Sequence, residues 1–455
     1  NQGARTALVT TRGFRDVLEF RRLRFPDLFS LDYTPPKPLV QRRHRFEVIE
    51  RIMPDGSVRQ PLDNVSVESV LEKLEQLQPE AIAICLLHSY ANPIHERKVV
   101  EAVKNRFPNL YVSGSIDVLP EIREYERTST TVINSYIGPI VDSYLKSMQK
   151  RLEHANMAVP ISIMQSNGGV MSYAAARRSP ARIIESGPAA GVVEAIRLAD
   201  RIGLKDVITF DMGGTTAKAS LIEQSKPSLT TEYEVGAGIQ LSNRLVKGRG
   251  HALKLPVIDI AEVGAGGGSI VRVDPGGSLR VGPQSAGAKP GPACYSQGGT
   301  EATVTDANVV LGYINPTSIA GGTVSVNSEA AKIALNRSAA EHLELETNDA
   351  AYGVYAVANT TMIRAIKSVT TYRGRDPREF TLMAFGGSGP LHAAEMARSL
   401  GIRQIIVPAS PGVFSALGLL EALPEYGFSR TMITDPMSEG GDKIINAFNE
   451  LESSS

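Results

Sequence analysis

The stretch Val207-Ile-Thr-Phe-Asp-Met-Gly-Gly-Thr-Thr-Ala-Lys-Ala-Ser-Leu-Ile222 decides the fold. An apolar strand runs into Asp211 and turns at Gly213-Gly214. The chain then presents Thr215 and Thr216 and returns on a second strand ending at Leu221-Ile222. Glycine has no Cβ, so a ligand can come close to the backbone of this turn. Exposed N–H groups in such a turn suit an anion, phosphate above all. The hydroxyls of Thr215 and Thr216 add donors, and Asp211 at the strand end can hold a hydrated Mg²⁺ that bridges phosphate oxygens. The simpler alternative is a tight β-hairpin with glycines for geometry alone. No Gly-Lys-Ser/Thr opens a helix here, so the stretch is not a Walker loop. Nor is it a dinucleotide fingerprint, which needs strand, turn and helix.

At 455 residues, 42% hydrophobic and 21% charged, the chain has the composition of a globular protein of several domains. Lys+Arg and Asp+Glu balance at 48 each, which removes any global argument for nucleic acid or an anionic membrane surface as partner. Cys85 and Cys294 are the two cysteines, far apart, which suits a reducing compartment rather than a disulfide scaffold. No apolar run approaches the ~20 residues of a membrane span, and no signal peptide is visible. Both readings favour the cytoplasm. The chain starts at Asn1 and is in a strand-like run by Thr6, and it stops in a helical pattern at Leu451 to Ser455. It therefore reads as a fragment of a longer protein.

Outward from the hairpin, strands and helices alternate. Residues 6–10 read as a strand, Phe14 to Arg22 as helical, Arg45 to Arg51 as a strand and Val67 to Gln76 as a helix. Ala81-Ile-Ala-Ile-Cys-Leu-Leu87 is apolar on both faces, as a buried parallel strand is. A helix at His95 to Phe107 and a strand at Leu110 to Ser113 follow, so the region reads as α/β with a mostly parallel sheet. A long amphipathic pattern from Thr128 to Asn156 is expected to break at Gly138-Pro139, with a domain boundary near residue 130. Ser186-Gly-Pro-Ala-Ala-Gly191 opens a helix that ends near Gly203. The glycine-rich stretch 235–300 reads as short strands joined by tight loops, some lining a site. Finally, Phe380-Thr-Leu-Met-Ala-Phe385, Gly386-Gly-Ser-Gly389 and the helix begun by Pro390 form a second strand–glycine loop unit.

Several segments combine into one ordered pattern: Glu121-Ile-Arg-Glu-Tyr-Glu-Arg-Thr-Ser-Thr130, Met164-Gln-Ser-Asn-Gly-Gly169, Ser186 to Gly191, Phe210-Asp-Met-Gly-Gly-Thr215, Val263-Gly-Ala-Gly-Gly-Gly-Ser269, Pro290-Gly-Pro-Ala-Cys-Tyr295, Val304-Thr-Asp-Ala-Asn308, Ala384-Phe-Gly-Gly-Ser-Gly-Pro-Leu-His392 and Pro411-Gly-Val-Phe-Ser-Ala-Leu-Gly418. In this order they resemble the hydantoinase A / 5-oxoprolinase family, in particular its N-methylhydantoinase A-like subunits, from Val9 to about Phe428. The resemblance implies an α/β, actin-like ATPase (ribonuclease H-like) fold, duplicated, of the kind shared by sugar kinases and Hsp70. It divides the chain into residues 1–130, an incomplete N-terminal domain; 131–428, the ATPase-like domain; and 429–455, the start of a further region. It makes the Asp211 hairpin the second of two phosphate loops, and Ala384 to His392 the adenosine motif. The nucleotide contacts implied are Gly213, Gly214, Thr215, Thr216, Gly266, Gly267, Gly386, Gly387 and Ser388, with Asp211 as catalytic residue and, through water, Mg²⁺ ligand.

The resemblance also implies use of ATP and Mg²⁺ to open a cyclic amide or imide, a hydantoin or 5-oxoproline-like ring. Phosphorylating the ring carbonyl oxygen activates it toward water. A hydantoinase B-type subunit is the implied partner, in a homo- or hetero-oligomer. Two alternatives stand beside this: an ATP-using subunit of an acetone or acetophenone-type carboxylase, and a non-catalytic nucleotide-binding subunit. The chain departs from the family in two ways. No counterpart of the first phosphate hairpin precedes Val9. Many relatives carry Ser-Thr-Asp after the residue matching Thr215, where this chain has Thr216-Ala217-Lys218. Lys218 is expected to face solvent, the alternative being a phosphate contact. His88 and Asp117, near His95, Glu96, Glu121 and Glu124, are candidate ligands for a second divalent metal, Zn²⁺ or Mn²⁺. Arg123, Glu124 and Arg127 read as a charged cluster, structural rather than substrate-binding, with substrate binding as the alternative. Asp306 and Asn308 either face a ligand or cap a helix. Cys294 has no nearby histidine in sequence and is not read as a nucleophile.

Overall fold

The computed structural model describes residues 3–22, 32–236, 250–433 and 440–453. Part of the glycine-rich stretch, residues 237–249, and the last two serines therefore lie outside the described residues.

Two sheets organise the chain. The first contains β1 (Thr6–Thr11), β2 (Arg45–Val48), β3 (Ala81–Cys85) and β4 (Tyr111–Gly114), in the spatial order β2-β1-β3-β4 and all parallel. Successive side chains on a strand point to opposite faces. Ala7, Val9, Ile82 and Ile84 accordingly pack under helices α1 (Asn64–Leu77) and α2 (Ile94–Arg106), on Val70, Leu74, Val99 and Val103. Leu8, Ala83 and Cys85 face the other way, toward Val132 of the long helix α3 (Glu124–His154). The next residue, Ile133, joins a different cluster with Tyr233, Leu253 and Val257, so α3 straddles both halves of the molecule. Thr130 lies inside this helix.

The expected break at Gly138-Pro139 does not occur: α3 runs unbroken for 31 residues with Pro139 inside it. An internal proline costs a helix about 3 kcal/mol. Here the pair marks a packing site. A Cβ on Gly138 would lie 2.2 Å from Cε1 of Tyr111, so the ring of Tyr111 needs a bare backbone there. The Tyr111 hydroxyl donates to the carbonyl of Arg177 at 2.8 Å, which fixes the ring.

Helix α4 (Ser186–Arg201) leads into the second sheet. Its strands are β5 (Val207–Met212), β6 (Ala217–Glu223), β7 (Lys226–Pro227), β8 (Ile260–Val263), β9 (Thr381–Phe385) and β10 (Ile405–Ile406). The path is β7-β6-β5-β9-β10, with β8 also paired to β6. The β5-β6 hairpin is antiparallel, as expected from residues 207–222, whereas β5-β9 and β9-β10 are parallel. Period-2 alternation again sorts the faces. Ile208, Phe210, Met212 and Leu382 pack on helices α5 (Val304–Val310), α6 (Thr347–Val369) and α7 (Gly389–Leu400). Val207, Ile222, Met383 and Phe385 pack on α4 and on Phe414, the first residue of α8 (Phe414–Glu421). α4 and α8 approach so closely that a Cβ on Gly418 would sit 2.0 Å from the Ala190 carbonyl oxygen. The terminal helical pattern corresponds to α9 (Gly440–Ser453).

Candidate functional site

The carboxyl ends of β5 and β9 lie side by side, with Phe385 in register with Asp211. In an α/β sheet this is where ligands bind. Three loops distant in sequence meet there: Asp211 to Thr216, Gly264 to Gly268, and Gly386 to Ser388. Their junctions are backbone bonds. Ser388 N–H donates to the Met212 carbonyl at 3.0 Å, Gly267 N–H to that of Gly213 at 3.0 Å, and Gly268 N–H to that of Gly214 at 2.6 Å. Gly386 has φ +82°, and a Cβ on it would lie 2.4 Å from Asp211 Oδ1. Only glycine fits there.

Gly213, Gly214 and Gly387 are different. None has a positive φ, and a Cβ built on any of them meets nothing within 4 Å. Neither turn geometry nor packing within the protein demands glycine at these positions. They border open space, which is what a bound phosphate or ribose requires of them. Among the described residues, the N–H groups of Gly214, Thr215 and Gly387 have no acceptor. Thr215 is exposed and Thr216 half-buried at the rim. Helix α7 starts at Gly389, just past Ser388, and turns its positive end toward the same space. The cradle therefore fits a nucleotide phosphate, and one carboxylate with two hydroxyls fits a metal that keeps most of its waters, as Mg²⁺ does.

Gly266 and Gly267 are brought to the site, but in a role different from direct contact. Both are buried. Gly266 N–H donates to Ser269 Oγ at 2.9 Å, and Gly267 N–H is taken by the hairpin. A Cβ on Gly266 would lie 2.7 Å from the Gly214 carbonyl. Their backbone supports the Gly213-Gly214 turn from behind.

Lys218 does not face solvent as expected. In register it lies opposite Asp211 on β5 and opposite Glu262 on β8. Its ammonium is 3.8 Å from both Glu185 and Glu262, with the side chain 21% exposed. Glu185, the residue before α4, also accepts the Tyr233 hydroxyl at 2.6 Å. A row of three carboxylates therefore surrounds one lysine beneath the turn. Burial raises the pKa of Asp211, and Lys218 pulls it back. Burial likewise raises Glu185, against the Tyr233 hydrogen bond and Lys218, while Glu262 adds to the rise. Sequence reasoning missed this cluster. The Asp211–Lys218 pairing could have been counted from the hairpin itself, because the four-residue turn fixes the register. Glu185, Tyr233 and Glu262 carry no such signal.

The second metal centre does not form. Among the described residues, no group of three or more His, Cys, Asp or Glu side chains could hold an ion. His88 Nδ1 lies 3.2 Å from the Tyr90 hydroxyl, and Asp117 joins no ligand set with it. His95 is buried against Glu50 at 2.8 Å, and Glu96 is consumed by the Leu86 and Ile116 N–H groups and the Ser115 hydroxyl. Arg127 is buried as well, donating to the Leu86 carbonyl at 2.6 Å. Asp306 is a helix cap, not a ligand-facing residue. It completes a capping box with Thr303 at the start of α5 and accepts from Cys294 N–H at 2.7 Å. Cys294 is buried, its thiol pushed up by that burial and by Asp306, which suits no nucleophile.

The hydantoinase/oxoprolinase family profile matches residues 127–426, and that of the hydantoinase/oxoprolinase N-terminal region matches residues 1–107. An uncharacterized protein of Methanocaldococcus jannaschii is 44% identical over 98% of this chain and 65% of its own length. Caprolactamase subunit alpha of Pseudomonas jessenii is 35% identical over 91% of this chain and 58% of its own. The structure of the ATP-dependent caprolactamase from that organism superimposes with a TM-score of 0.82 over 99% of this chain and 64% of that chain, at 32% identity. A nucleotide-free acetone carboxylase structure gives the same TM-score, 0.82, over 99% of this chain and 64% of that chain, at 28% identity. The chain thus spans roughly three fifths of the length of these relatives. No helix among the described residues is long and apolar enough to cross a membrane. The chain belongs to the hydantoinase/oxoprolinase family.

Proposed function

We propose that this chain is the ATP-using subunit of an enzyme that opens a cyclic amide or imide, a hydantoin or 5-oxoproline-like ring, together with a hydantoinase B-type subunit. The observation that carries the reading is the meeting of three glycine loops around open space at Gly213, Gly214 and Gly387. The accompanying fold reading is a duplicated actin-like ATPase, supported by two sheets each covered by helices on both faces. Two distant cysteines, both free and buried, fit a cytoplasmic protein.

ATP supplies a phosphoryl group to the ring carbonyl oxygen and ADP leaves. Water then adds to the activated carbon, the ring C–N bond breaks with its nitrogen taking up a proton, and inorganic phosphate leaves. The products are the open-chain carboxylate and amine, ADP and phosphate. The chain's task is positioning and charge neutralisation. Asp211 would hold Mg²⁺ through water, and the ion would supply charge neutralisation at the phosphates. The N–H groups of Gly214 and Thr215, with the Thr215 and Thr216 hydroxyls, hold phosphate oxygens. Gly386, Gly387 and Ser388 form the wall beside the nucleoside. Lys218 sits among Asp211, Glu185 and Glu262 and opposes the rise that burial gives the Asp211 and Glu185 carboxyls. The test is ADP release by the chain with its partner subunit on a panel of lactams, hydantoins and 5-oxoproline. Release stimulated by one ring supports the reading; no stimulation by any of them refutes it.

A second reading is an ATP-using subunit of a ketone carboxylase, favoured by the likeness to acetone carboxylase. ATP hydrolysis that needs bicarbonate and a small ketone, and ignores rings, would select it.

A further inference from the structure

Helices α5, α6 and α7 meet at His392, which lies one turn into α7 and is completely buried. Its Nδ1 is 2.8 Å from Asn359 Oδ1 on α6, and its Nε2 is 3.2 Å from Asn308 Nδ2 on α5. Tyr355, also on α6, stacks on the imidazole at 4.8 Å and 20°, and its hydroxyl donates to the Leu391 carbonyl at 3.1 Å. The pattern specifies a neutral ring: Nδ1–H donates to one amide oxygen, and Nε2 accepts from the other amide nitrogen.

This is a costly way to fill a core. Among the described residues, Asn308 Oδ1 and Asn359 Nδ2 are buried and find no hydrogen-bond partner. Each unsatisfied buried group costs stability, and an apolar trio of similar size would avoid that cost. Such groups call for a reason other than stability. The position of the trio supplies one. α7 begins directly after Gly386-Gly387-Ser388, and Leu391 N–H, next to His392, donates to the Ser388 carbonyl at 3.2 Å. At its other end α5 grips the support loop: Thr305 N–H and Thr305 Oγ1 both donate to the Gly267 carbonyl at 2.8 Å. A Cβ on Gly267 would lie 3.0 Å from Ser388 Oγ, so these loops touch as well. One short helix thus connects the loop behind the phosphate turn to the ring that pins α7.

We propose that His392 is a positioning residue for the nucleoside wall: by bonding α5 and α6 it sets where Gly386 to Ser388 stand relative to the Asp211 turn. The proposal rests on the reading that this site takes a purine nucleoside triphosphate. His392 touches no ligand itself; it acts through the loop.

The test is a double-mutant cycle read by calorimetric titration of the full chain with Mg-ATP. His392→Ala weakens Mg-ATP about tenfold, equal to about 1.4 kcal/mol. Gly387→Ala, whose added methyl group meets nothing in the protein, weakens it on its own. On the Gly387→Ala background the His392→Ala effect shrinks to about threefold or less, because both act on one wall. On a Thr215→Ala background it keeps its full size. His392→Gln, which retains an amide able to bond Asn308, recovers most of the affinity, and it replaces His392→Ala in the cycle if the alanine variant does not fold. Unchanged Mg-ATP affinity in both His392 variants overturns the inference and leaves the functional reading standing. Equal effects on the two backgrounds overturn it too. A wild-type chain that binds no Mg-ATP overturns both.

Discussion

The carboxyl edges of the two sheets end in opposite ways. In the first sheet the protein supplies its own acceptors. Glu96 accepts Leu86 N–H at 2.8 Å, Ile116 N–H at 2.9 Å and the Ser115 hydroxyl at 2.9 Å. The Thr11 hydroxyl is held by Glu50, which also holds His95. In the second sheet the corresponding edge carries glycines, and among the described residues the N–H groups of Gly214, Thr215 and Gly387 are left without acceptors. Two parallel-strand edges offer similar backbone donors. One spends them on side chains; the other, on the function proposed above, keeps them for a ligand.

The sharpest way to break this contrast is to remove the internal acceptor. Glu96→Ala leaves two N–H groups, the Ser115 hydroxyl and the buried Arg127 charge short of a partner. It should cost about 3–5 kcal/mol in urea unfolding without changing nucleotide affinity in the surviving folded protein. A loss below 1 kcal/mol would mean the first edge is not sealed in this way.

The two edges also hold different histidines. His95 faces a carboxylate, whereas His392 is wedged between neutral amides, and burial lowers its pKa to about 4. Its folded value lies below the unfolded value of about 6.5, so the unfolded chain binds the extra proton first. This contribution to stability is complete above pH 6.5 and falls away as pH drops toward 4. Its full size is about 3 kcal/mol, at 1.36 kcal/mol per pKa unit. His392→Gln should flatten the stability–pH curve between pH 6.5 and 4, measured by urea midpoint. An unchanged slope would contradict the burial argument.

A pair of glycine substitutions gives a smaller contrast within the second edge. Gly386→Ala must accept φ +82° and a contact of 2.4 Å to Asp211, and should destabilise by about 1–3 kcal/mol. Gly213→Ala has open space and an ordinary φ, and should shift stability by less than about 0.5 kcal/mol. Its effect should appear instead as weaker Mg-ATP binding. If the two behave alike in thermal melts, the distinction between packing glycines and ligand glycines fails.

The hairpin, its flanking helices and the strand–glycine loop at Phe385 were legible because each is written locally: alternating apolar residues, a glycine turn, a proline at a helix start. What escaped was what only register and tertiary approach decide. Gly138-Pro139 looks like a helix stop until Tyr111 is seen packed on it. Gly266 and Gly267 look like ligand glycines, yet their N–H groups are spent on Ser269 and the hairpin. Lys218 looks like a surface lysine on a returning strand, and becomes the hub of a carboxylate cluster only when β8 and the start of α4 close over it. His88 and Asp117 share a neighbourhood in sequence but no ligand set in space.

We propose that the second edge is a Mg-ATP site organised by Asp211. Calorimetric titration of the full chain with Mg-ATP, wild type against Asp211→Ala, tests it most directly. Saturable binding that weakens on the order of 100-fold in the variant, about 2.7 kcal/mol, is the predicted result. Equal affinity of the two proteins, or no heat with either, would contradict it.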